Sequence, residues 1–472
     1  MEEFGYGGAE DTDGGEVAYT DHGQPYLLGD GEHTEEPNLT MSCTMEDIKE
    51  TYGPGVYLYF DFAKACNWMN LIMFGVVLIN IIPHLYYETK AGQFKSLRPL
   101  DYILVAINVQ SYVEAKSQPI YFWTTLSAMV ISFLMTFGYS LIIRGYTQQC
   151  RMTNQKNDFI KTSIGGSWLS RAIRILICWI ICVIILIVSG VANFYAVKLR
   201  NNYPRDFLAG IITTSLVASI SLKGINAVFE VGSLFLTMFE KHITWTQFRL
   251  HNTIKLYVFK VVNLIMLYIF HARIFSYYTD ETIQDTCPLI DVGSQFLLLL
   301  LIDLTIQNVW EVVYSAGYPR VLGLFKRNTP YNDRRAEFDL AEEYVEILFR
   351  QLIIYMGMPV YPFVTIIGVI CGVVDFYIDK YRMIKICRPP YRTQATMHRF
   401  LTFYLMLLTA ALAICMYPYG SGWVLFQIGF EPNPTTSTLN TQCPSMFSRM
   451  PGTDLIVPLV NHNDSSSSSS MM

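Results

Sequence analysis

The sequence predicts an all-α polytopic membrane protein with about nine transmembrane helices. Three observations predict it. Hydrophobic residues make up 52% of the 472 positions and charged residues 15%, where a soluble domain carries about 25% charged. The apolar residues gather into runs of about twenty, which match a ~30 Å hydrocarbon core at the helical rise per residue. Basic residues concentrate in alternate loops between those runs. Backbone groups in lipid must be satisfied within the chain, and long runs without alternation select helices over a barrel. The mean hydropathy of +0.29 agrees.

Residues 1–55 hold fourteen Asp or Glu, one basic residue (Lys49) and many Gly, with no apolar period. That composition reads as a disordered acidic tail, and it accounts for the formal net charge of -5. The start has neither a basic n-region nor an apolar h-region, so it is not a signal peptide. Residues 56–205 carry the first three spans, at 65–86, 119–143 and 175–197, with a basic loop between the second and third. Residues 206–380 carry spans 4 to 8, at 206–238, 256–276, 293–315, 343–362 and 364–380. Residues 381–418 comprise a basic loop and span 9, at 400–418. Residues 419–472 form a segment with a Ser-rich end. Cys66, Cys178, Cys182, Cys371 and Cys415 lie in apolar runs and read as small packing residues. No C-x-x-C pair or His cluster suggests a metal, and no cofactor is expected.

Two segments require argument. Segment 343–380 suits one oblique helix or a hairpin, and Pro359 and Pro362 interrupt it. Segment 206–238 suits one long span or two short ones around Lys223 and Gly224. Charge placement selects the hairpin and the single span. With nine crossings, the loops at 144–174, 239–255, 316–341 and 380–399 share a side and carry 20 Lys or Arg. The opposite loops and the last segment carry nine over a slightly greater length. The positive-inside rule makes the first set cytoplasmic. The amino terminus is then cytoplasmic by parity and the carboxyl end extracellular, where Asn463 begins a glycosylation sequon.

Intramembrane charge is unevenly distributed. Spans 1, 2, 3 and 9 have essentially no ionisable residue in their apolar interiors, whereas spans 4 to 8 have many. Each costs about 2.5–3.5 kcal/mol at mid-membrane on the lenient scale, so it normally faces water or a partner. Asp303, Gln307 and Glu311 recur every four residues on one stripe of span 6. Asp339, Glu343, Glu346 and Arg350 share a face at the start of span 7. Lys223, Asn226 and Glu230 fall within a narrow sector of span 4. Asp375 and Asp379 add a pair in span 8. Adjacent polar stripes can surround a hydrated route, and predominantly acidic walls favour cations. Structural roles compete with that reading. Glu346 and Arg350 suit a pair along one helix. Asp339, Glu342 and Glu343 suit headgroup level, and Asp375 and Asp379 lie near a membrane end. Gly368 and Gly372 match a helix close-packing pattern. Gly357, Pro359 and Pro362 suit either a gate or a plain turn.

Four stretches, Tyr52 to Phe60, Glu337 to Leu340 with Ile347 to Gly357, Cys387 to Pro390, and Cys443 to Arg449, together resemble the transmembrane channel-like (TMC) family. Tyr52 to Phe60 resembles the family's approach to its first helix, and Glu337 to Leu340 with Ile347 to Gly357 its approach to span 7. Cys387 to Pro390 fits the basic loop before span 9, and Cys443 to Arg449 resembles an extracellular Cys-Gly-Pro-Phe segment. The family signature Cys-Trp-Glu-Thr-x-Val-Gly-Gln-Glu is partly kept: Cys287, Val292, Gly293 and Asp303 fit, while the Trp, both Glu, the Thr and the first Gln do not. The resemblance covers about residues 50–450 and identifies the chain as a divergent member. It implies a ten-helix fold shared with the anoctamin and OSCA proteins, and a cation-conducting subunit of a mechanically gated channel with its path along spans 4 to 7. It also implies a calcium-sensing cytoplasmic partner at residues 145–171. The family's tenth helix, at the dimer contact, has no counterpart before Met472, which puts a homodimer in doubt. Cys287 and Cys443 fall on the extracellular side and are candidates for a disulfide.

The expected activity is therefore an ion-channel subunit in the plasma membrane whose partners are the bilayer and permeant cations. The permeation-path candidates are Asn226, Glu230, Asp303, Gln307, Glu311, Asp339, Glu343 and Glu346. A lipid scramblase and a non-conducting structural or trafficking subunit are the alternatives. No loop carries a nucleophile–base set or a phosphate-cradling glycine motif, so no enzyme is expected, and nothing points to nucleic acid.

Overall fold

The structure, a computed structural model, describes residues 17–19, 25–27, 39–91, 118–151, 168–201, 209–278, 288–325, 335–358, 361–388 and 401–416. The chain divides into two units, Met1–Ser42 and Cys43–Met472. In the first, β1 (Val17–Tyr19) and β2 (Pro25–Leu27) pair antiparallel with Ala18 opposite Tyr26.

The second unit is almost entirely helical. It opens with α1 (Met45–Tyr52), held by a capping box: Asp47 N–H donates to Thr44 Oγ1 and Thr44 N–H to Asp47 Oδ2. Gly53, at φ 88, ends the helix in a conformation that L side chains rarely adopt, and Pro54 starts the next one where its missing N–H costs nothing. The disorder expected across residues 1–55 therefore does not hold over α1. Local capping orders a sequence too short and acidic to declare itself by hydrophobic period.

The remaining helices are α2 (Pro54–Ala91), α3 (Gln118–Arg151), α4 (Trp168–Asn201), α5 (Ala209–Glu240), α6 (Trp245–Tyr278), α7 (Pro288–Ile302), α8 (Asn308–Phe325), α9 (Leu340–Gly357), α10 (Val364–Tyr381) and α11 (Met406–Met416). Each expected span overlaps one of these, and span 6 runs through α7, a π-helical turn at Asp303–Gln307 and α8. Five segments among the described residues are long and apolar enough to cross a membrane: Pro54–Pro83, Trp123–Arg144, Trp168–Tyr195, Ser219–Glu240 and Gln295–Val321. The second unit is a multi-pass membrane protein.

Packing shows why. On α4, Leu176, Ile180, Ile184, Ile187 and Val191 are exposed, while Cys178, Cys182, Ser189 and Asn193 are buried. On α5, Val228, Val231 and Phe235 are exposed, while Asn226, Ser233 and Thr237 are buried. Apolar residues outside and polar ones inside invert the pattern of a soluble helix and suit a lipid solvent. Residues 209–240 form one unbroken helix, as the charge argument selected over two short spans.

α9 lies at the centre, with every residue buried except Glu342 and Glu346. It breaks after Gly357 and the chain returns as α10. The pairing of the two is antiparallel: Gly357 neighbours Val364, Ile354 neighbours Gly368, and Arg350 meets Asp375. This is the hairpin expected from Pro359 and Pro362. α10 also lies against α2. A Cβ on Gly372 would collide with the Asn67 amide, and one on Gly368 with Ile354, so both glycines permit a backbone approach that a methyl group forbids. Tyr59 of α2 stacks edge-on against Phe60, Phe338 and Tyr344.

Candidate functional site

Seven elements, α5, α6, the π turn, α8, α9, α10 and the π-helical segment Arg382–Ile386, bring their charged residues to one interior region. Asp303 sits in the π turn, a rare geometry frequent at functional sites. The four-residue stripe assumed for Asp303, Gln307 and Glu311 is therefore not that of a regular α-helix. Lys223 of α5 nevertheless joins Asp303 Oδ1 at 2.5 Å and Gln307 Oε1 at 3.4 Å, and Gln307 donates to Glu311 Oε1 at 3.1 Å.

Asp303 Oδ2 accepts from Arg350 Nε at 2.8 Å, and the Arg350 Nη2 pairs with Asp375. Asn308 caps the other Asp375 oxygen at 2.6 Å. Glu346 does not pair with Arg350 along α9. It pairs with Lys260 of α6, with Lys223 4.0 Å from its second oxygen. Lys260 reaches Glu230 at 3.4 Å. Asn226 accepts from Asn263 at 3.0 Å, and Asn263 in turn accepts from Ser189 at 2.6 Å.

A second node centres on Arg382, in the π-helical segment Arg382–Ile386 after α10. Its Nη1 lies 2.7 Å from Glu311, 2.9 Å from Glu343 and 3.0 Å from Asp379. Tyr59 donates to the other Asp379 oxygen at 2.6 Å. The base of the segment is pinned by Phe338 N–H to Arg388 O and Arg388 N–H to Ala336 O, at 3.0 and 2.7 Å. The Gln307–Glu311 hydrogen bond joins the two nodes, so one network runs from Glu230 to Tyr59.

Seven carboxylates (Glu230, Asp303, Glu311, Glu343, Glu346, Asp375, Asp379) thus meet four cations (Lys223, Lys260, Arg350, Arg382). The stripes converge and acidic residues outnumber basic ones, but each carboxylate has a cationic partner, which the sequence stripes alone did not supply. Carboxylates outnumber cations seven to four, and three of them (Glu311, Glu343 and Asp379) share the single Arg382. Asp375 and Asp379, weighed as groups at a membrane end, are buried members of the network. Asp339 stands apart. Its carboxylate caps α9 by accepting from Ala341 N–H at 2.8 Å. Beside it, Arg249 pairs with Glu337 at 3.2 Å, and although burial pulls its pKa down, the carboxylates of Asp339 and Glu337 raise it overall. Beside Arg350, a small cavity of about 20 Å³ has Asn67, Asn70, Gln351 and Asp375 among its lining residues. Cys287, Cys443 and Asn463 lie outside the described residues, as does most of the loop at 145–171.

Sequence reasoning missed a further cluster. Glu240, His242 and His251 place one donor atom each within 4.8 Å of one another. His242 and His251 are nine positions apart, and only the turn between α5 and α6 brings them together. A Glu-x-His ending one helix and a His opening the next is the signal, but reading it requires knowing where the turn falls.

Residues 287–396 match the family model described as the TMC domain. The matched stretch contains α7 to α10 and most of the network, and it supports membership of the TMC family. No curated protein matches the chain.

Proposed function

We propose, with the TMC-domain match as premise, that the chain is an ion-channel subunit whose cation path runs along α5 to α9. The observation that carries this reading is that, among the described residues, the buried charged side chains lie on those helices, on α10 and on the segment after it, with seven carboxylates against four cations in the network. Net negative charge in a low-dielectric wall attracts cations and repels anions. Permeation requires the Lys223–Asp303 and Lys260–Glu346 pairs to part and accept water, so the paired arrangement is the closed state. Mechanical gating follows from the family resemblance: tension that separates α5 and α6 from α9 exchanges protein partners for water. The chain crosses the plasma membrane nine times with its amino terminus in the cytoplasm. A homodimer and a calcium-sensing partner are the assemblies the resemblance suggests.

Recording from the full chain reconstituted in planar bilayers tests the reading. Neutralising Asp303 and Glu311 together lowers the cation-to-anion permeability ratio, and an unaltered ratio counts against the path. The full pairing of the carboxylates favours one rival, a non-conducting structural subunit, which retains partner binding and passes no current. A liposome lipid-flipping assay separates both from a scramblase.

A further inference from the structure

Glu240 is fully buried at the end of α5, and His242 is nearly so. Glu240 Oε2 lies 2.6 Å from His242 Nε2 and 3.8 Å from His251 Nδ1. The other carboxylate oxygen, Oε1, pairs with Lys255, which is also fully buried. The two oxygens therefore divide their partners: one faces an ammonium, the other two imidazoles. Between Glu240 and His242, Lys241 adopts φ 52, the one non-glycine residue at positive φ among the described residues. This left-handed turn swings His242 back beneath the carboxylate while α6 supplies His251. The imidazole centroids lie 4.3 Å apart, with the ring planes tilted by 38°.

We propose that Glu240, His242 and His251 form a binding site for a divalent transition-metal ion, zinc being the best match. Tetrahedral zinc about 2.0–2.1 Å from each donor holds its donors roughly 3.4 Å apart, a value bracketed by the 2.6 and 3.8 Å spacings here, so metal entry requires His242 to draw back from the carboxylate. Two imidazoles with one carboxylate select borderline metals over calcium or magnesium, which take oxygen ligands. Metal replaces the proton shared between His242 and Glu240. The His251 side chain is 32% exposed, so water reaches the cluster and fills the fourth position. Lys255 orients the carboxylate as an outer partner, and its charge weakens the site relative to one without it. Bound metal joins α5 to α6 at the end of the two helices that present Glu230 and Lys260 to each other. The ion staples that pair from outside the network.

The test uses the full chain in detergent micelles with cobalt(II) as the probe, together with His242→Gln and His251→Gln, each of which keeps a hydrogen-bond donor for Glu240. One equivalent of cobalt is expected to bind with intense visible ligand-field bands, to be displaced by zinc, and to raise the melting temperature. Each variant is expected to melt like the metal-free parent and to lose that equivalent. Binding and bands unchanged in both variants overturn the proposal, as does an absence of saturable cobalt binding to the parent. Should the His242 variant melt early, the partly exposed His251 position decides alone.

Discussion

The Arg350 guanidinium holds two buried aspartates from different helices, Asp303 in the π turn and Asp375 in α10. One cation thus ties the central helix to two of its neighbours. Buried ion pairs add little net stability over an apolar replacement, yet removing one partner alone is severe.

Arg350→Met is accordingly expected to destabilise the protein by about 3–5 kcal/mol, because two carboxylates lose their counter-charge together. Adding Asp303→Asn and Asp375→Asn to that variant recovers most of the loss. Thermal unfolding in detergent, run as a mutant cycle, measures the coupling, and strict additivity speaks against a shared bridge.

Tyr59→Phe deletes a single hydrogen bond to a carboxylate that keeps Arg382 as its main partner. The expected loss is about 1.5–3 kcal/mol, the range for a hydrogen bond to a charged group. The ring contacts with Phe60, Phe338 and Tyr344 persist, so the same melting experiment should show reduced stability without loss of cooperativity.

Gly372 and Gly232 differ sharply in what a methyl group meets. At Gly372 it strikes Asn67, and at Gly232 it meets open space. Gly372→Ala is expected to cost about 1–3 kcal/mol through displacement of α10 from α2, whereas Gly232→Ala is neutral or slightly stabilising. Equal effects at the two positions contradict the close approach.

The α1 cap is expected to depend on pH. A backbone hydrogen bond from Thr44, with help from the Thr44 hydroxyl, holds the Asp47 carboxyl below the usual aspartate value. A depressed folded-state value means the cap stabilises fully above the unfolded-state pKa and is lost as pH falls through the folded one. The protection of the α1 amides from hydrogen exchange, taken relative to unfolded-chain rates at the same pH, should therefore fall in acid, below the usual aspartate range, and Asp47→Asn should flatten that dependence.

Lys223→Met gives a functional readout. Lys223 is the cation shared by Asp303, Gln307 and Glu346. Its removal leaves the proposed path more negative, so cation selectivity in bilayer recordings should rise, opposite to the effect of neutralising Asp303. Identical shifts from both variants are incompatible with a shared electrostatic wall.

The multi-pass helical character was legible because apolar runs and loop charge are local properties of the chain. The α9–α10 hairpin was legible for the same reason, since Gly357, Pro359 and Pro362 mark the break directly. The residues of the network were legible as polar stripes, but their partners were not. Helical spacing offered Arg350 to Glu346, whereas its partner Asp303 lies 47 residues away and the Lys260 that serves Glu346 lies 86 away. Only the packing of α5, α6 and α10 around α9 decides among such pairings. Asp339 shared a face with Glu343 by periodicity, but it precedes the first turn and is spent on capping. The π turn at Asp303 left no local mark.

α9 is buried almost all round and carries Glu342, Glu343, Glu346 and Arg350 in little more than two turns. A nascent segment with that content partitions poorly from the translocon into lipid, since each charge near the bilayer centre opposes insertion by about 2.5–3.5 kcal/mol. Its counter-charges are supplied by earlier helices, through Lys223 and Lys260, and by a later one, through Arg382. In the proposed nine-span topology, insertion of α9 therefore depends on the earlier helices and on the later synthesis of Arg382, a joint event of several helices.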